Sequence, residues 1–131
     1  MSEDSKLELL REMAQKIYDK KGFNILALDV RGLSSMTDYF LIAEGGVARH
    51  LKAMADEVLD LLKERGERPL HVEGIAGGEW VVVDCWSIIL HLFGPGLREK
   101  YRLERLWSEG RIVDLGIVDK SGLSVAADGG E

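Results

Sequence analysis

Apolar positions recur along this chain first at helical and then at strand spacing. Leu7, Leu10, Met13, Ala14, Ile17 and Tyr18 share one face of a 3.6-residue period and predict a first helix. Ser5-Lys6-Leu7-Glu8 reads as its capping box, with Ser5 at the N-cap and Glu8 at N3. Lys20, Lys21 and Gly22 predict its end, with cations near the C-terminal dipole and glycine past the last turn. Asn24–Val30 and Asp38–Glu44 are short apolar runs separated by a polar loop, Arg31–Thr37, and predict two strands. Val47–Arg65 carries the clearest helical stripe, formed by Val47, Leu51, Met54, Ala55, Val58, Leu61 and Leu62, with Gly66 as its C-terminal glycine. Pro69–Glu73 predicts a short strand and Gly74–Gly78 a loop. Glu79–Asp84 and Ser87–Phe93 predict a hairpin turning at Cys85-Trp86. Gly94-Pro95 opens a last helix whose apolar side is Leu97, Tyr101, Leu106 and Trp107. After about residue 108 the pattern fades, and 108–131 is expected to be a loose tail behind a 1–107 domain.

This order predicts an α/β fold, a small single domain with a mixed five-stranded sheet and packed helices. The connections between consecutive strands are too short for a purely parallel sheet. Strand alternation divides the hairpin into two faces. Val81, Val83, Ile88, Leu90 and Leu92 form a purely apolar face that must meet the helices. Trp80, Val82, Asp84, Ser87, Ile89 and His91 form the other, a mixture of indole, aliphatic, carboxylate, hydroxyl and imidazole groups. That mixture suits a protein-docking patch, because tryptophan anchors such interfaces and polar neighbours set the register. It also suits a half-solvated sheet face, or one covered by the C-terminal tail.

Composition narrows the function. The chain has 131 residues, 46% of them hydrophobic, with 23 acidic against 17 basic side chains and a formal charge of −6. An acidic chain is a poor match for DNA or for a broad RNA surface, which needs excess cations. No apolar run reaches the roughly 18 residues of a membrane span, and no secretory h-region is present, so a cytoplasmic location is expected. Cys85 is the single cysteine, which leaves no disulfide or thiolate cluster.

The strand-end acids Asp29, Asp38, Glu44, Glu73 and Asp84 raise the question of metal-dependent phosphoryl transfer. That chemistry needs closely placed carboxylates, usually supplied by Asp-x-Asp or Asp-x-Glu on one strand. Neither occurs in the chain. Gly45-Gly46 lacks the rest of a phosphate-binding motif and reads as a tight strand-to-helix turn. His50, His71 and His91 lack metal-ligand spacing, and Cys85 has no base beside it in sequence. Arg98, Lys100, Arg102 and Arg105 are interrupted by Glu99 and Glu104 and read as a solvated helix face. No catalytic residue, metal site or cofactor is assigned from these patterns.

Several separate runs resemble one family. LDVRGLSSMTDYFLIAEG (28–45), RHLKAMADEV (49–58), EGIAGGEWVVVD (73–84), HLF (91–93) and LERLW (103–107) are similar to the Iojap family of ribosomal silencing factors, in unbroken order over residues 6–107. The resemblance implies a nucleotidyltransferase-like fold lacking the catalytic carboxylates. It also implies binding to the large ribosomal subunit through large-subunit ribosomal protein fourteen. Bound there, such a factor blocks joining of the small subunit and represses translation when nutrients are scarce. Trp80 and Asp84 match the family's tryptophan and acid, and Glu73, Asp38 and Tyr101 match recurrent positions. The expected partner-binding set is therefore Trp80, Val82, Asp84, Ser87, Ile89, His91, Glu73 and Tyr101. Two rivals stay open at this point: a nucleotidyltransferase-like enzyme, and an adaptor that forms a homodimer when free. One departure stands out. Asp84-Cys85-Trp86-Ser87 replaces the family's Asp-Tyr-Gly-Asp, so Trp86 is expected to avoid positive φ and to change the turn type.

Overall fold

The computed structural model describes residues 3–101, 105, 109–119 and 121–123. Helix α1 spans Glu3–Asp19. Ser5, expected at the N-cap, lies inside it; the helix starts two residues earlier and puts Asp4 in a first turn whose dipole favours an acid. The helix closes by donation from Lys21 N–H to the Tyr18 carbonyl (2.9 Å) and from Gly22 N–H to the Ile17 carbonyl (2.8 Å). The left-handed residue in that closure is Lys21, at φ 71°, rather than Gly22. Gly22 is required for space, since a Cβ there would lie 2.5 Å from Ile17 Cγ2 and 2.7 Å from Met54 Sδ.

Strands β1 (Phe23–Asp29) and β2 (Tyr39–Glu44) pair antiparallel, and α2 (Ala48–Glu64) follows. Its buried residues Leu51, Met54, Ala55, Val58, Leu61 and Leu62 are the expected stripe, and Gly66 takes φ 71° just past its end. Then come β3 (His71–Glu73), β4 (Trp80–Asp84), β5 (Ile88–Phe93), α3 (Leu97–Tyr101) and β6 (Arg111–Ile112). The sheet order is β3-β4-β5-β2-β1-β6, and among the described strand pairs β2–β5 alone is parallel. The mixed α/β architecture is as expected, but the sheet has six strands rather than five.

The sixth strand comes from the segment expected to be loose. Ile112 and Arg111 pair with Leu28 and Asp29, and beyond them Leu115 and Ile117 are buried in the main core. Gln15 donates to the Val118 carbonyl and accepts from Val118 N–H, each at 3.0 Å, while Arg11 Nε donates to the Asp114 carbonyl at 3.1 Å. Val113, Leu115 and Ile117 alternate at strand spacing, a signal too short to stand out in a polar segment.

One face of the sheet packs on α1 and α2. Val81, Val83, Ile88, Leu90 and Leu92 are fully buried there, as the alternation requires. Each such side chain contributes about 1.5–3 kcal/mol, so this layer dominates stability. Among the described residues no helix is long and apolar enough to cross a membrane.

Candidate docking face

The opposite sheet face is graded from dry to wet. At its centre Leu26, Leu28, Phe40, Ile42, Ile89, His91 and Phe93 are each at most 9% exposed. Ile89 packs with Leu26, Leu28, Val30 and Phe40 in a second small core. Ile89 and His91, both expected to touch a partner, are therefore buried: they sit on β5, flanked by β4 and β2, where neighbouring side chains cover them. Moving outward, Trp80, Val82 and Asp84 on β4 are half-buried, and His71 and Glu73 on the edge strand β3 are exposed. The register places Glu73 beside Val82, and His71 beside Asp84. Ser87 is half-buried in the hairpin turn, where its carbonyl accepts from Asp38 N–H (3.1 Å) and Tyr39 N–H (3.0 Å). Tyr101 belongs to α3, and its side chain lies outside the described residues, as do those of Lys100, Arg102, Glu104, Leu106 and Trp107.

Trp80 is held in a ring cluster. Its Nε1–H donates to His91 Nδ1 at 3.1 Å, and its ring centroid lies 5.1 Å from that of Phe93. Acceptance at Nδ1 puts the neutral imidazole's proton on Nε2. Burial pushes His91 down to about 4, because the charged form is poorly solvated there. Gly74, at φ 86°, lets the loop before β4 close; a Cβ there would lie 1.9 Å from the Trp80 carbonyl oxygen.

Each strand-end acid is engaged by a neighbour. Asp29 pairs with Arg31 at 2.6 Å, and that guanidinium's hydrogen bonds hold its carboxyl below the usual range. Asp38 pairs with Lys6 at 2.7 Å, Glu73 with His71 at 2.8 Å, and Asp84 accepts from Trp86 N–H at 3.0 Å. Glu44 accepts from Asn24 Nδ2 at 2.7 Å and pairs with Arg98 at 3.3 Å. Arg98, expected on a solvated helix face, is thus buried, and it also donates to the Asn24 carbonyl. Among the described residues no three His, Cys, Asp or Glu side chains come together as a metal site. Gly45 N–H donates to the Phe93 carbonyl and Gly46 N–H to His50 Nδ1, so the strand-to-helix turn uses its own donors. Cys85 is buried and its thiol is pushed up to about 12, chiefly by desolvation, which leaves it a poor nucleophile.

Trp86 corrects the expected turn. It takes φ 72°, the conformation glycine adopts freely, and the turn closes by Ser87 N–H to the Cys85 carbonyl at 2.9 Å. Its side chain is 61% exposed and lines one hollow with Met36, itself 71% exposed. Met36 had no role in the sequence reading because isolated loop apolars carry no periodicity. A tryptophan in the left-handed region costs about 1–2 kcal/mol, so Trp86→Gly is expected to raise unfolding stability by about 1 kcal/mol in urea denaturation. An unchanged or lower stability would mean that packing of the indole outweighs the backbone strain.

Comparison with known proteins places this geometry. The family model described as "Ribosomal silencing factor during starvation" matches residues 3–128, which includes the pinned C-terminal segment. The ribosomal silencing factor RsfS of Bacillus subtilis is 36% identical over 107 residues, covering 82% of this chain and 91% of that protein. A mouse protein named mitochondrial assembly of ribosomal large subunit protein 1 is 40% identical over 75 residues, which is 55% of this chain and 33% of that protein. A crystal structure of a Chromobacterium violaceum protein superposes with a TM-score of 0.74 at 31% identity, covering 96% of each chain. With a model match along nearly the whole chain and a relative of comparable length at this identity, the chain belongs to the ribosomal silencing factor family, RsfS.

Proposed function

We propose that this protein represses translation by binding the large ribosomal subunit through large-subunit ribosomal protein fourteen and physically blocking the small subunit from joining. The observation that carries this reading is the family match combined with a tryptophan held at the accessible margin of a sheet face whose centre is dry. Trp80 supplies the apolar anchor, Val82 extends it, and Asp84 and Glu73 flank it with carboxylates. We extend the same contact to Tyr101 because it matches a recurrent position of the family. The acidic balance, −6 overall, suits a basic protein partner while opposing nonspecific adhesion to RNA. The name of the mouse relative, which refers to the ribosomal large subunit, supports the choice of subunit. The reading is non-enzymatic and cytoplasmic: the strand-end acids serve pairing and turns, and repression needs only occupancy. Nutrient limitation is the condition under which we expect it to act.

The test is sucrose-gradient sedimentation of separated subunits with and without the protein. The protein is expected to travel with large subunits and to reduce the joined peak in proportion to occupancy. Full joining at saturating protein would overturn the proposal.

A further inference from the structure

We infer that His91 is a positioning residue for Trp80: its Nδ1 accepts the indole proton and fixes the rotation of the ring that meets the partner. The inference rests on the docking face proposed above.

Burial alone would be served better by an aliphatic side chain at position 91. Its register neighbours are Val82 on β4 and Ile42 on β2, and the rings beside it include Phe40 and Phe93. An imidazole in such a site loses hydration and must recover it through a specific bond. The described bond is the one to Trp80 at 3.1 Å. The imidazole itself has little freedom. It stacks on Phe93 with centroids 6.2 Å apart and planes 10° apart, and the Phe40 ring lies 5.7 Å away at a 49° tilt. The stack is set by β5 and β2, the two strands in the dry centre of the sheet. Orientation is thus passed from the core to a residue at its wet margin. Phe93 restrains the tilt of the indole by ring contact, and His91 restrains its rotation by a directional hydrogen bond. A free Trp80 would have to be ordered on binding, which weakens association by roughly three- to tenfold for one side chain.

His91→Leu, of similar size and apolar, removes the acceptor; His91→Asn removes the ring but keeps an acceptor oxygen. With purified large subunits as the probe, His91→Leu is expected to bind about three- to tenfold more weakly, without loss of melting temperature. His91→Asn is expected to recover part of that loss. The second readout needs no partner. The Trp80 indole N–H resonance, assigned by its disappearance in Trp80→Phe, is expected to move upfield in His91→Leu. If Trp80→Ala weakens binding but His91→Leu does not, the positioning role is wrong while the docking face survives. If Trp80→Ala binds as the unmodified protein does, the face is wrong, and the indole resonance decides the positioning role by itself: no movement overturns it. Should His91→Leu fail to fold, the same two readouts are taken on His91→Phe, which keeps a ring but carries no acceptor. Binding and resonance both unchanged there would overturn the inference.

Discussion

Trp80→Ala is expected to weaken binding to large subunits by about 2 kcal/mol, near thirtyfold, while leaving the fold intact. The size follows from the kind of anchor. Tryptophan buries a large area at low entropic cost, and truncating one near the centre of an interface commonly removes at least this much. Retention of the fold follows from position. Trp80 is half-buried at the end of β4, whereas Val81 and Val83, on the same strand, point to the fully buried face under the helices. The substitution therefore takes area from the margin of the sheet and not from its main core. Co-sedimentation measures the binding, and circular dichroism with a melting curve checks the fold. Wild-type co-sedimentation by a folded Trp80→Ala variant would rule out the assigned face. The exposed pair Trp86 and Met36 at the far end of the hairpin would then be the next surface to truncate.

Acid is expected to destabilise the protein by up to about 3 kcal/mol through His91 alone. Its ordinary value of 6.5 falls to about 4 in the folded chain because the site desolvates the imidazolium. Above about pH 6.5 both folded and unfolded chains carry the neutral ring, and the residue contributes no pH dependence. Between about 6.5 and about 4 the unfolded chain takes up a proton that the folded chain refuses, so stability falls as pH falls. Asp29 acts the same way at lower pH. Its depressed carboxyl contributes stability that is present above its ordinary value of 3.8 and is lost below it. Urea denaturation across the upper window, compared with His91→Leu, isolates the histidine: the slope should be missing in the variant. An equal slope in both would assign the dependence to other groups. Protonation also occupies the Nδ1 that receives the Trp80 indole, so acid should release that ring as the fold weakens.

Much of the architecture was legible in the chain because periodicity reports burial directly. The α2 stripe, the hairpin's apolar set and both long strands appear where period 3.6 and period 2 put them. The failures have separate physical origins. Ser5-x-x-Glu8 met the pattern of a capping box, but a helix end is settled by local competition among several acceptable starts, and Glu3 won. Trp86 was expected to avoid positive φ on intrinsic cost, and tertiary context imposed it, since the turn must join two strands already paired by the core. Arg98 was expected to be wet because its neighbours in sequence are charged; its partners, Glu44 and the Asn24 carbonyl, lie far away along the chain.

The candidate site divides along the same line. The residues' own order determined which side chains share a sheet face, because alternation on a strand is a covalent property of the chain. It also determined the acidic balance and the motifs that mark the family. Sequence could not say how wet that face is, because wetness depends on which strands become neighbours. The order β3-β4-β5-β2-β1-β6 puts β5 inside and β3 at the rim, so His91 and Ile89 are dry, Trp80 stands at the margin and Glu73 is exposed. Only the tertiary structure revealed the bond from Trp80 to His91, because a hydrogen bond between residues eleven apart requires the hairpin register to exist first.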